Sequence, residues 1–175
     1  MKITVKRLTD WSLALDLARN TMGKEEYGKE PSSEWKAKML LARHSPIQAV
    51  FYHIKMDDIP YWVSVHLVRH KVGVDHWVRS QRTDRTGVRR DDLPQGALVC
   101  HEMVANAQAI LAISRKRLCM QASPETREVW QEVIKALQAA GEVELAAACK
   151  PECEVCGGFC PELKPCGRRP AYALR

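Results

Sequence analysis

Within Val63–Arg85, the residues Arg69, His70 and Lys71 stand in one run. Arg79, Arg82 and Arg85 follow, with His66 and His76 interleaved. Guanidinium groups hold phosphate oxygens two at a time, and an imidazole beside them adds a directional donor. The chemistry this points to is the grip on an anion, a diphosphate above all. A purely solvated basic face has no use for Val72, Val74, Trp77 and Val78, which are threaded between the cations. A nucleic-acid backbone would also meet such a cluster. His66, His70 and His76 are the candidates for proton transfer, and packing or phosphate binding suits each of them as well.

A second set is dispersed: Arg90 before Leu93-Pro94, then Asn106, Arg117, Glu125 and Arg127. Arg117 follows Asn106 by eleven residues, about three helical turns, so one helix would present both on one side. The same basic run, ISRKRL, also suits a helix answering its own dipole.

A third set is sulfur. Of seven cysteines, Cys100 and Cys119 sit in apolar contexts as small buried hydrophobes, while Cys149, Cys153, Cys156, Cys160 and Cys166 crowd the end of the chain. Cys153, Cys156 and Cys160, with either Cys149 or Cys166, supply four thiolates, the set for zinc or an iron–sulfur cluster. Intervening glycines and prolines allow the tight turns such ligands need. Free thiols in a frayed tail are the other reading.

The chain has 175 residues, 46% apolar and 27% charged, with a net charge of +6. That describes one globular domain with its own core and a leaning towards anionic partners. No apolar run approaches a membrane span and the start lacks a signal-peptide stretch, so a cytoplasmic protein is expected.

The elements that must carry these residues follow from pattern. Met1–Lys6 alternates like a strand, and Asp10 stands where it could cap a helix from Trp11 to about Asn20. A polar loop leads to Ser32 or Ser33 as the cap of a helix carrying Trp35, Met39 and Leu40, ended by RHSP at Arg43–Pro46. Ala49–Met56 reads as a strand and DDIP as a turn. The segment around Trp62–His70 fits strand and helix periods equally. Residues 87–96 read as a charged loop, and one long helix is expected over about Leu98 to Leu118. Ser123, with Pro124 and Glu125 behind it, caps a last helix with the stripe Val129, Trp130, Val133, Ile134 and Leu137, stopped by Gly141. The expected fold class is α+β, long helices packed on a small antiparallel sheet. Residues 1–148 would be the catalytic domain and residues 149–175 a cysteine-rich tail.

In order and spacing these features resemble the flavin-dependent thymidylate synthases. That family carries an Arg-His-Arg run with a serine, an asparagine and a closing Ser-x-Arg. It lies downstream of a Thr/Ser-Pro segment such as Ser45-Pro46. An Arg-x-x-Leu-Pro comes next, here Arg90–Pro94, then an asparagine and an arginine, here Asn106 and Arg117, ahead of Ala122 and Glu125. The likeness spans roughly Arg43 to Leu137. It implies that Arg69, His70, Lys71 and Asn106 hold FAD. It further implies that His66, Arg82, Arg90 and Arg117 bind the nucleotide, and that Arg117 and Ser80 serve the catalytic step. Implied with it are NADPH and methylenetetrahydrofolate as co-substrates, dUMP as the methyl acceptor, and a homotetramer with shared active sites. Several positions depart from the family pattern: Lys71 replaces arginine, His66 glutamine, and Val74 and His76 a serine and an asparagine. Gln48-Ala49 stands where many members have glutamate and histidine, and Gln108 and Ala112 replace an arginine and an asparagine. Three other readings stand beside this one: a flavoenzyme acting on another pyrimidine nucleotide, a flavin scaffold without activity, and a basic nucleic-acid-binding module with a zinc-ribbon-like tail. The last lacks aromatic-studded strands or a reading helix.

Overall fold

The computed structural model describes residues 1–171. They form a four-stranded antiparallel sheet and eight α-helices, an α+β fold. The strands are β1 (Lys2–Arg7), β2 (Phe51–Pro60), β3 (Val74–Val78) and β4 (Leu98–Asn106), in the order β1-β2-β4-β3. The helices are α1 (Trp11–Asn20), α2 (Ser33–Ala42), α3 (Tyr61–Leu67), α4 (Thr83–Thr86), α5 (Ala107–Arg117), α6 (Pro124–Ala139), α7 (Val143–Ala148) and α8 (Glu152–Val155). Short 3-10 turns cover Ser45–Ala49 and Arg90–Asp92. No helix is long and apolar enough to cross a membrane, among the described residues.

The register arranges the sheet in rows. Directly paired residues share a face, so Val5, Ile54, Met103 and His76 form one row, and Ile3, Met56, His101 and Val78 the next. These rows point into the core, where Tyr52, Ile54, Met56, Met103 and Ala105 are fully buried beneath Trp11, Ile110, Trp130 and Val133. The opposite face carries Thr4, Lys55, Glu102 and Trp77 in one row and stays partly open to solvent. Two histidines therefore stand on the core side of the sheet.

Local chemistry accounts for most boundaries. Ser32 accepts from the Trp35 N–H and Ser123 from the Thr126 N–H, as expected of helix caps. Asp10 occupies the first cap position but its carboxylate turns to Arg7 at 3.3 Å instead. Two expectations fail. DDIP is no turn: β2 runs on to Pro60 through a register shift between Met56 and Ile59, with Asp58 at φ 57° taking up the bulge. Nor is Leu98–Leu118 one helix. Val99, His101, Met103 and Ala105 are buried at every second position, the strand period, and Asn106 then starts α5 as its cap, accepting from the Ala109 N–H at 2.9 Å. The strand β3 was masked by His76, a polar residue at an inward position.

One buried carboxylate ties the helical layer to the sheet. Glu142, between α6 and α7, accepts from Trp11 Nε1 at 2.9 Å, from Tyr52 Oη at 2.7 Å and from Arg7 at 3.1 Å. Burial and the Glu142 charge push the Tyr52 phenol well above its ordinary value, so it stays a donor. Replacing Glu142 by alanine leaves two buried donors without an acceptor, and a loss of about 2–4 kcal/mol in urea-unfolding stability is expected.

Candidate functional site

The basic run begins where α3 ends, on a stretch without regular structure between α3 and β3. The His70 N–H bonds the Leu67 carbonyl at 3.0 Å, closing the last turn of that helix. Arg117, the final residue of α5, reaches across to it. Its Nε donates to His70 Nε2 at 2.9 Å, and its Nη2 donates to the His66 carbonyl at 2.7 Å. An arginine cannot accept, so the His70 proton sits on Nδ1. His66 Nδ1 bonds the buried Thr126 Oγ1 at 3.1 Å, which ties α3 to the start of α6.

Asn106 secures the other end of the same stretch. Its N–H donates to the Gly73 carbonyl at 2.9 Å, and its side chain lies against the Gly73 Cα. Gly73 holds φ +70°, and a Cβ there would meet Asn106 Nδ2 at 2.7 Å. Residues 66–73 thus run along α5, latched at both of its ends, roughly 16 Å apart. Asn106 and Arg117 do belong to one device, but as the cap and the end of a helix.

The electrostatics of this corner have one sign. His66, His70 and Arg117 are each driven away from the protonated state, first by burial. Arg117 and Arg69 add to this at His66, Arg117 and His76 at His70, and Arg69 at Arg117. His70 falls to about 4. Arg69 and Lys71 are exposed, and neither has a carboxylate partner among the described residues. Cations crowded together without an acid are what an anion would relieve.

The other expected substrate residues lie elsewhere. Ser80, Arg82 and Arg90 line a separate cleft of about 470 Å³ with Tyr61, Arg79 and Pro94. None of His66, His70, Asn106 or Arg117 is in its wall. Arg82 is held by Asp84 at 2.9 and 3.0 Å, whereas Arg90 has no ion-pair partner among the described residues. The larger cavity, about 960 Å³, lies between α2, α5, α7 and the tail and contains none of the expected site residues.

The cysteines divide. Cys149 is packed into the domain core, where burial pushes its thiol up to about 12. Cys153 and Cys160 are buried and Cys156 and Cys166 exposed. Burial raises the Cys153 thiol, Arg168 opposes this, and Cys160 and Cys119 stand near enough to add to the rise. Cys119, taken from sequence as a lone hydrophobe, is thus a neighbour of the tail. Among the described residues no three His, Cys, Asp or Glu side chains converge to hold a metal ion. The tail is fastened to α5 and its end by Arg115–Glu152 at 2.9 Å, Lys116–Glu162 at 2.8 Å and Gln121 Nε2 to the Lys164 carbonyl at 2.6 Å.

Sequence reasoning missed Ser64, Gly73, His101 and Thr126. Gly73 offered the one usable signal, a glycine inside a basic run where only a left-handed turn explains it. His101 was hidden by assigning its strand to a helix.

The fold so described is that of the flavin-dependent thymidylate synthases. A crystal structure of this enzyme from Helicobacter pylori with FAD and dUMP superimposes with a TM-score of 0.68 at 15% identity, covering 86% of this chain and all of that one. A second structure of the Helicobacter pylori enzyme with FAD and dUMP gives the same score at 13% identity and the same coverage. A UMP/dUMP methylase from Streptomyces cacaoi bound with 5-Br dUMP matches with a TM-score of 0.61 at 14% identity, covering 84% of this chain and 94% of that one. No family model matches the sequence, and no curated protein does.

Two outcomes test this geometry. Gly73→Ala should cost about 1–3 kcal/mol in thermal unfolding, because both the backbone angle and Asn106 oppose a Cβ. His70 and His101 are both held to about 4, below the ordinary 6.5 of the unfolded chain. As pH falls, the unfolded chain takes up these protons first. The stability they contribute is therefore complete above about 6.5 and is lost between about 6.5 and 4, which unfolding curves across that range will record.

Proposed function

We propose that this chain is an FAD-dependent enzyme that methylates a pyrimidine deoxynucleotide, of the dUMP-to-dTMP type. The observation that carries the reading is the corner where the cations Arg69, Lys71 and Arg117 crowd the neutral His70 without an acid among the described residues, set in a fold shared with enzymes solved with FAD and dUMP. Arg69 and Lys71 would neutralise the flavin diphosphate, and the His70 Nδ1–H would give it direction. Bound flavin would supply the hydride relay, with NADPH as the donor and methylenetetrahydrofolate as the one-carbon source. The residues of this chain bind, orient and shield.

Arg117 is split between duties. Two of its nitrogens already hold His70 and His66. Its proposed contact to the pyrimidine would use what remains, with His66 at the edge. Ser80, Arg82 and Arg90 would receive the nucleotide phosphate, Arg90 being the cation without a partner. These three stand in a cleft apart from the flavin corner. Such half-sites favour an assembly in which one copy's cleft completes another's corner, consistent with a homotetramer. The cysteine-rich tail beyond residue 148 would be an attachment rooted in the domain core by Cys149, and a cytoplasmic setting would keep its thiols reduced.

A second reading has its own support. The UMP/dUMP methylase from Streptomyces cacaoi shares the fold. Together with Val74, His76, Gln108 and Ala112 in place of the family's residues, this favours a related pyrimidine nucleotide as an alternative acceptor.

Three variants separate the roles. Arg69→Ala combined with His70→Ala should abolish flavin retention on purification, and unchanged retention would remove the clamp. Arg90→Ala should weaken dUMP binding about tenfold or more with the flavin still bound, as for loss of a charged hydrogen bond. Equal dUMP affinity would exclude Arg90 from the nucleotide site. Because Arg117 positions His70, Arg117→Ala should weaken flavin and nucleotide together.

A further inference from the structure

A line of three polar side chains ends on the backbone of His70. His76 Nε2 is 2.8 Å from the His70 carbonyl, His76 Nδ1 is 2.9 Å from His101 Nε2, and His101 Nδ1 is 2.9 Å from Ser64 Oγ. His101 is fully buried and Ser64 nearly so. The two rings meet edge to face, 5.1 Å between centroids.

The direction of the line follows from its end. A carbonyl can only accept, so His76 Nε2 carries a proton. With both rings uncharged, His76 Nδ1 then accepts from His101 Nε2–H, and His101 Nδ1 accepts from the Ser64 hydroxyl. Every polar atom in the line has a partner, in keeping with the absence of any unsatisfied buried side-chain nitrogen or oxygen among the described residues. Among the described residues no acid is paired with either ring, so nothing in the line calls for a charge.

The line acts on a residue otherwise held at two points. The His70 N–H is fixed by the Leu67 carbonyl and its ring by Arg117. His76 supplies the third point, on the peptide that leads to Lys71. We propose that His76, backed by His101 and Ser64, is a positioning residue for the anion clamp. Its Nε2–H fixes the His70 carbonyl and so keeps the His70 ring in the place and tautomer that leave Nδ1–H for a phosphate oxygen of the flavin nucleotide. This rests on the flavin reading of the corner. His76 stands where the resembled family has another residue, so the device belongs to this chain.

Two near-isosteric variants isolate the bond. Glutamine places its amide nitrogen near the Nε2 position of histidine, and asparagine places it near Nδ1. His76→Gln should keep the bond to the His70 carbonyl and His76→Asn should lose it. In fluorescence titration with FAD, the Asn variant should bind about tenfold more weakly than wild type, the worth of one such bond, and the Gln variant within about threefold. Equal FAD affinity of the two variants would overturn the proposal. Long-range nitrogen–proton spectra of the histidines give a readout independent of flavin. Wild type should show Nε2–H tautomers at His76 and His101 and the Nδ1–H tautomer at His70. Loss of the His70 preference in the Asn variant alone supports the positioning role, and its persistence in both contradicts it. If wild type binds no FAD, the flavin reading fails and the spectra still decide whether His76 positions His70.

Discussion

The cationic corner at the end of α3 depends on one bridge, from the Arg117 guanidinium to the His70 ring and the His66 carbonyl. It joins the end of α5 to the end of α3, two helices that both also pack on β4 and on α6. Half-buried and beside Arg69, the guanidinium is held where a cation is costly, and it is retained because its donors have partners. The same bridge assigns the His70 tautomer. It thus holds a basic stretch without regular structure as a preorganised donor set, which is what anion recognition needs if affinity is not to be lost in ordering the site.

The sheet serves the corner by what it turns inward. Rows built from Val5, Ile54 and Met103 form an ordinary apolar floor, and His76 and His101 are set into that floor at the β3–β4 edge. Polar groups there are tolerable only as a fully paired set. Glu142 obeys the same rule at the opposite edge, with Trp11, Tyr52 and Arg7 around it. Elsewhere the buried side chains are mostly apolar, Ser114 and Thr126 being paired in their turn, so each cluster acts as a fixed point for the helices on the sheet.

Much of this was legible in the sequence, for particular reasons. Ser32 and Ser123 announced helix starts because capping is a local hydrogen bond. The stripe from Val129 to Leu137 announced α6 because its period is regular. The basic run stood out because valines and a tryptophan had no place in a solvated charge run. What was not legible depended on distant partners. His76 and His101 break the strand alternation because they pair with each other, and pairing across strands leaves no trace in either segment alone. Asn106 looked like a residue in mid-helix and is a cap. Within one copy of the chain the residues expected at the nucleotide lie in two places, Arg82 and Arg90 in a cleft and His66 and Arg117 at the corner, because nearness to His70 in sequence is not nearness in the fold. Cys119 joined the tail cysteines only through the path of α5.

A crystal structure of the protein soaked with FAD would test the central claim most directly. The account predicts the flavin diphosphate within hydrogen-bonding distance of Arg69 and of His70 Nδ1, with the Arg117–His70 bridge intact beneath it. A diphosphate bound elsewhere, or a bridge that opens when flavin enters, would contradict it.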